Sequence, residues 1–136
     1  MAGEIHVRAG ILEEMLRHAR AEPRLECCGL LAGANDVITK IIPAKNALAS
    51  PTAYEIAPKE LFELFRSIRE EGLEHLGIYH SHPAGNNIPS RSDIEQSYYP
   101  LQAYFILDPQ PGAVHPVRAF RIHDGLVDEL EIVVLA

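Results

Sequence analysis

A chain of 136 residues is the size of one ordinary domain, and at 47% hydrophobic it carries enough apolar material for a core without crosslinks. Its formal charge of −7, from 19 acidic and 12 basic residues, comes with no block of basic side chains, so nucleic acid is a poor candidate partner. Apolar runs fall short of the roughly 18 residues of a membrane span, and the start Met1-Ala2-Gly3-Glu4-Ile5-His6-Val7-Arg8 breaks its apolar residues with charges and does not read as a signal peptide.

The first element is a short strand, Glu4–Val7, leading into an amphipathic helix from about Gly10 to Arg20. Ile11, Leu12, Met15, Leu16 and Ala19 recur there at helical spacing and form one apolar stripe. Pro23 ends the connection. Cys27–Gly33 is a compact apolar run that suits a central strand, and Ala34-Asn35-Asp36 reads as the turn of a hairpin to Val37–Ile42. The only cysteines, Cys27 and Cys28, are neighbours. Adjacent thiols seldom bridge without strain, so a reducing cytoplasm is the expected compartment. On a strand they face opposite ways, one into the core and the other toward whatever occupies the opposite face.

From Pro43 to Pro58 the chain has three prolines together with Asn46, Ser50 and Thr52, and reads as a surface loop. Pro58 then sits in the first turn of a second helix, where proline is tolerated. Leu61, Phe62, Leu64, Phe65 and Ile68 give that helix its apolar face, and Gly72 closes it. Leu76–His80 reads as a strand, Ala84–Pro89 as a polar loop and Ser90–Ser97 as a short helix. Ala103–Leu107, Val117–Ile122 and Leu126–Val134 are the remaining strands. The expected architecture is one α/β (α+β) domain over residues 1–136, with a mixed sheet and two main helices.

The chemistry concentrates at His80-Ser81-His82-Pro83. Successive side chains of a strand point to opposite faces, so His80 and His82 project from the same one. Asp93 follows eleven residues beyond His82. Two imidazoles and a carboxylate are three ligands of the kind a catalytic zinc site uses, with one position left for water. Taken alone, each residue also has a plain structural use. Ser90-Arg91-Ser92-Asp93 fits a helix capping box, and Ser92 with Glu95 offers a second.

His-x-His, seven residues, Ser, two residues, Asp is the signature of the JAMM (MPN-plus) metalloproteases, and His80, His82, Ser90 and Asp93 resemble it without a gap. That family also carries a glutamate ahead of a Cys-Gly-Leu-Leu-type strand, which Glu26-Cys27-Cys28-Gly29-Leu30-Leu31 resembles. The resemblance implies a mixed, mostly antiparallel sheet flanked by two main helices, with a short helix after the ligand loop, similar to the cytidine deaminases. It implies that His80, His82 and Asp93 bind one Zn2+ per chain with water in the fourth position. Glu26 is then the residue that exchanges the proton of that water, and Ser90 the donor to the oxyanion. The reaction implied is hydrolysis of the amide bond after the C-terminus of a ubiquitin-like protein.

Compact prokaryotic members work on small ubiquitin-like sulfur carriers, whose extended C-terminal tail is expected to lie along a sheet edge leading to the metal. Ala47–Ala57 and Ala84–Pro89 are short, which argues against a clamp for two ubiquitins. Two alternatives belong to other classes. A non-catalytic MPN scaffold usually lacks the ligands, and this chain keeps all of them. RadC-like proteins, associated with nucleic acid, share the segment echoed by Pro83 and Pro89-Ser90, but the acidic charge and the Cys-Gly-Leu-Leu strand stand against that reading. The other histidines show no ligand spacing, and Cys27 and Cys28 have no histidine partner that would make either a nucleophile.

Overall fold

The computed structural model describes residues 3–136. Its elements run β1 (Glu4–Arg8), α1 (Ile11–Ala21), β2 (Cys28–Ala34), β3 (Val37–Ala44), α2 (Pro58–Glu70), β4 (Glu74–Ser81), α3 (Arg91–Glu95), β5 (Ala103–Leu107), β6 (Val117–His123) and β7 (Leu126–Leu135). The mixed α/β class expected from the sequence is observed. Element bounds differ mainly at frayed ends: β3 runs on to Ala44, β4 begins at Glu74, and α3 stops at Glu95.

The strands hydrogen-bond in the order β1-β3-β2-β4-β5-β6-β7, and β7 returns to β1, so the sheet closes into a barrel. Pairing is antiparallel for β2 with β3 and β4, β5 with β6, and β6 with β7. It is parallel for β4 with β5 and for β1 with both its neighbours. The seam is uneven. β1 matches β7 over Glu4–Arg8 but touches β3 only at His6↔Val37 and Val7↔Ile38. Beyond Ile38, Ile41 and Pro43 lie against His18 and Ala21 of α1. Closure is thus partial: Lys40–Ala44 of β3 pairs only with β2, which leaves an open edge of the kind the sequence reading assigns to an extended tail.

Alternation along each strand sorts the core into two clusters. One face packs Val7, Leu31, Ile38, Tyr79, Phe105 and Leu107 against the α1 stripe of Ile11, Met15, Leu16 and Ala19. The other packs Leu30, Ile78, Tyr104, Ile106, Phe120 and Ile122 against Ile68, Leu61, Leu64 and Phe65 of α2. α2 ends in a Schellman arrangement, since the Leu73 amide bonds the Ile68 carbonyl at 3.0 Å, the Gly72 amide bonds that of Arg69 at 3.0 Å, and Gly72 has φ of 72°. Gly29 has a different reason: a Cβ there would stand 2.5 Å from Tyr79 Cε1, so the smallest residue lets Tyr79 lie across β2.

Candidate metal centre

β4 carries the site because it is buried on both faces toward its C-terminal end. Ile78 points to the α2 cluster and Tyr79 to the α1 cluster, so His80 falls on the α2 side and Ser81 opposite. The His82 amide bonds the Leu107 carbonyl at 2.9 Å, which carries the strand geometry one residue further. The two imidazoles consequently meet, with Nε2 atoms 3.2 Å apart. Ser81, between them, staples the glutamate segment to β4. Its Oγ accepts from the Cys27 amide at 2.8 Å, and its own amide bonds the Cys27 carbonyl at 3.0 Å.

Asp93 arrives from the short helix. Ser90 Oγ accepts from the Asp93 amide at 3.1 Å and Asp93 Oδ2 accepts from the Ser90 amide at 2.9 Å, a complete capping box. The same carboxylate faces both histidines, Oδ1 3.2 Å from His80 Nε2 and Oδ2 3.0 Å from His82 Nε2. Capping and facing the histidines are thus done by one side chain, and the alternative box of Ser92 with Glu95 is not used: Glu95 pairs with Arg91. The connecting loop is held by Asn87, which is buried and donates to the carbonyls of Ile106 and His115. Gly85 and Asn86 both take left-handed backbone, with φ of 90° and 61°, and this turns the Asn86 carbonyl onto His82 Nδ1 at 2.9 Å.

Glu26 sits two residues ahead of β2, its backbone fixed by the loop that follows β3. Its amide bonds the Ser50 carbonyl at 2.9 Å, and its carbonyl accepts from Asn46 Nδ2 at 3.0 Å. The residue is 3% exposed, and its Oε1 has no hydrogen-bond partner among the described residues. Burial pushes its carboxyl up to about 7, an effect that nearby His82 opposes and Asp93 reinforces. Asp93 behaves in the opposite way. Burial works against its ionised form, but hydrogen bonds from His80 and His82 outweigh that and hold it well below the usual carboxylate range. Burial lowers His80, which is 1% exposed, and so favours the neutral ring a metal requires.

These donors fit a small tetrahedral cation. Ligand bonds of about 2.0–2.1 Å at tetrahedral angles put neighbouring donor atoms roughly 3.3 Å apart. The separations among His80 Nε2, His82 Nε2 and the Asp93 oxygens are 3.0–3.2 Å. Glu26 also brings a carboxylate oxygen within 4.8 Å of the two histidine nitrogens. Of the two carboxyls, the ionised Asp93 suits a ligand, and Glu26, poised near 7, suits proton exchange. Ser90 lines a 320 Å³ cleft with Glu26, His82, Thr52 and Pro83. Its oxygen is used as an acceptor by the cap, and its hydroxyl hydrogen stays available to donate.

The remaining candidates lie elsewhere. Cys27 packs in the α1 cluster and Cys28 pairs in register with His80. Burial pushes their thiols up to about 11 and about 12, so neither supplies a thiolate at neutral pH. His18 bonds the Tyr79 hydroxyl at 2.7 Å, and His75 Nε2 lies 3.0 Å from the Gly77 carbonyl. Sequence reasoning missed three residues: Asn46, Asn87 and Tyr54, whose ring stacks on His80 with centroids 4.5 Å apart. The one available signal is that Tyr54 is the only aromatic residue between Pro43 and Pro58.

Comparison with known proteins follows the same lines. A family model described as prokaryotic homologs of the JAB domain matches residues 8–123. A CysO-cysteine peptidase of Mycobacterium tuberculosis is 34% identical over 125 residues, covering 90% of this chain and 86% of that protein. A probable TtuB-protein conjugate cleaving protease of Thermus thermophilus is 36% identical over 132 residues, covering 96% and 83%. A solution structure of a Desulfitobacterium hafniense protein superposes with a TM-score of 0.82 at 33% identity, covering 96% of this chain and 92% of that one.

Proposed function

The chain belongs to the prokaryotic JAB-domain family of JAMM hydrolases, and we propose that it is a zinc-dependent peptidase or isopeptidase that cuts after the C-terminal tail of a ubiquitin-like or sulfur-carrier protein. The relatives named above are a CysO-cysteine peptidase and a probable TtuB-protein conjugate cleaving protease. The observation that carries the reading is the convergence of His80, His82 and Asp93 within 3.2 Å of one another, beside a buried Glu26 whose Oε1 has no partner.

In this reading His80, His82 and Asp93 hold one zinc ion, which when bound lowers the pKa of a coordinated water to about 7 and so supplies a hydroxide nucleophile. Glu26 takes a proton from the attacking water and returns it to the departing amine, a role open to a buried carboxyl with an unpaired oxygen. Ser90 donates its hydroxyl hydrogen to the oxyanion that develops on the scissile carbonyl. Asn86 keeps the proton of His82 on Nδ1, leaving Nε2 as the ligating atom. Main-chain pairing of the tail is open to the unpaired edge of β3 at Lys40–Ala44 and to the segments that line the cleft, Pro51–Thr52 and Pro83–Ser90.

Elemental analysis after stripping and zinc refilling tests the centre, and cleavage of a carrier protein carrying a C-terminal extension tests the reaction. The expected result is one zinc per chain, lost in His80→Ala/His82→Ala. Glu26→Gln is expected to keep zinc and lose about 10²- to 10⁴-fold in turnover. Absence of stoichiometric zinc in the refilled wild type sinks the proposal, and unchanged turnover in Glu26→Gln removes that residue from the mechanism.

A further inference from the structure

The two histidines are oriented by different devices. His82 has a hydrogen bond from Nδ1 to the Asn86 carbonyl at 2.9 Å, the usual way a ligating imidazole is fixed in tautomer and rotation. His80 has none: its Nδ1 is buried and unbonded. Hydrogen bonding at Nδ1 therefore does nothing to oppose rotation of the His80 ring about its Cβ–Cγ bond. One face of that ring is instead covered by Tyr54, with centroids 4.5 Å apart and planes 23° from parallel.

We infer that Tyr54 is a positioning residue of the metal centre, whose stacked ring holds His80 in the ligating orientation that a hydrogen bond gives His82. This rests on the reading of His80 as a ligand. Aromatic pairs at this separation attract by about 0.5–1.5 kcal/mol beyond the area they bury. A flat ring laid along the imidazole also blocks its rotation sterically, which an aliphatic side chain of similar volume does less well.

Tyr54 can do this because its loop is fixed from both sides. Asn46 is buried, and its Nδ2 donates to the Ala53 carbonyl at 2.9 Å while its Oδ1 accepts from the Glu55 amide at 3.2 Å. The residues on either side of Tyr54 are thereby tied to one side chain. That same Nδ2 reaches the Glu26 carbonyl at 3.0 Å, so the loop bearing Tyr54 and the backbone of Glu26 are tied to one side chain. Tyr54 also lines an apolar pocket of 260 Å³ with Ile56, Leu61, Ile78, Tyr99 and Tyr104.

The test compares the full-length wild type with Tyr54→Phe, Tyr54→Leu and Tyr54→Ala. Zinc affinity is read by competition with a chromophoric chelator, site geometry by the visible spectrum of the cobalt form, and folding by melting of the stripped protein. Tyr54→Phe is expected to bind zinc within about 2-fold of wild type, and Tyr54→Leu and Tyr54→Ala to lose about 10- to 100-fold, with altered cobalt bands. Leucine keeps apolar bulk without a flat face, so Tyr54→Leu decides the matter where Tyr54→Ala fails to fold. Zinc affinity and cobalt spectra equal to wild type in the leucine variant overturn the inference. A wild type that takes up no stoichiometric zinc overturns the ligand reading itself, an outcome visible before any Tyr54 variant is compared.

Discussion

Under α1 the sheet buries Leu31, Phe105, Leu107 and Tyr79 among apolar neighbours, and the polar tip in that group, the Tyr79 hydroxyl, bonds to His18 Nδ1 at 2.7 Å. Ahead of β2 and near the end of β4, Glu26 and His80 are also deeply buried, yet Glu26 Oε1 and His80 Nδ1 find no partner among the described residues. A buried polar atom without a partner costs about 1–3 kcal/mol. One region satisfies its polar group, and the other keeps an uncompensated cost beside the candidate metal centre. Substitutions in the two regions should therefore act with opposite sign on stability.

The largest effect is expected in the apolar region. Phe105→Ala should cost about 3–5 kcal/mol in denaturant unfolding, because truncation leaves a cavity under α1. A loss below about 1 kcal/mol would mean that α1 collapses into the space and that the region is not tightly packed.

Next comes Glu26→Gln, measured on stripped protein. The Glu26 carboxyl rises from an ordinary 4.5 to about 7 on folding, so the native state binds its proton more tightly than the unfolded chain does. Its contribution to stability is full below about pH 4.5 and is lost as pH rises through about 7. Glutamine does not titrate. The variant should match wild type near pH 4 and exceed it by roughly 3 kcal/mol at pH 8, at 1.36 kcal/mol per pKa unit. Parallel stability–pH curves for the two proteins would show that Glu26 carries no such cost.

Ser90→Ala gives the smallest change in stability and lies at the boundary of the comparison. Removing the hydroxyl takes away the cap on the Asp93 amide and should lower stability by about 1 kcal/mol. If Ser90 also serves the oxyanion, turnover of the zinc enzyme falls by about 10²- to 10³-fold with metal content unchanged. Retained turnover with the stability loss alone would confine Ser90 to its helix.

The gap between reading and structure follows the same division. Strand alternation gives the facing of His80 and His82, and the three-residue step from Ser90 to Asp93 gives the cap, because both follow from local backbone geometry. Tyr54 and Asn46 lie in an irregular segment with no period to read. The composition of Pro43–Pro58 reads as a surface loop, yet Asn46 is buried there and ties Ala53, Glu55 and Glu26 together. Cys27 and Cys28 are intermediate. Alternation separates their faces, and only the pairing of β2 with β4 puts Cys28 beside His80.

By itself the sequence determined the elements and the two apolar helix faces and picked out His80, His82 and Asp93 as a group, because hydrophobic period and motif spacing act over a few residues. Tertiary structure alone decided that the sheet closes through β1, which joins β3 and β7 from opposite ends of the chain. It also decided that Glu26 is buried with an oxygen unpaired, and that the Tyr54 ring stacks on His80, whose Nδ1 has no hydrogen bond among the described residues. Those features depend on segments distant in the chain arriving at one place, and no local pattern encodes that meeting.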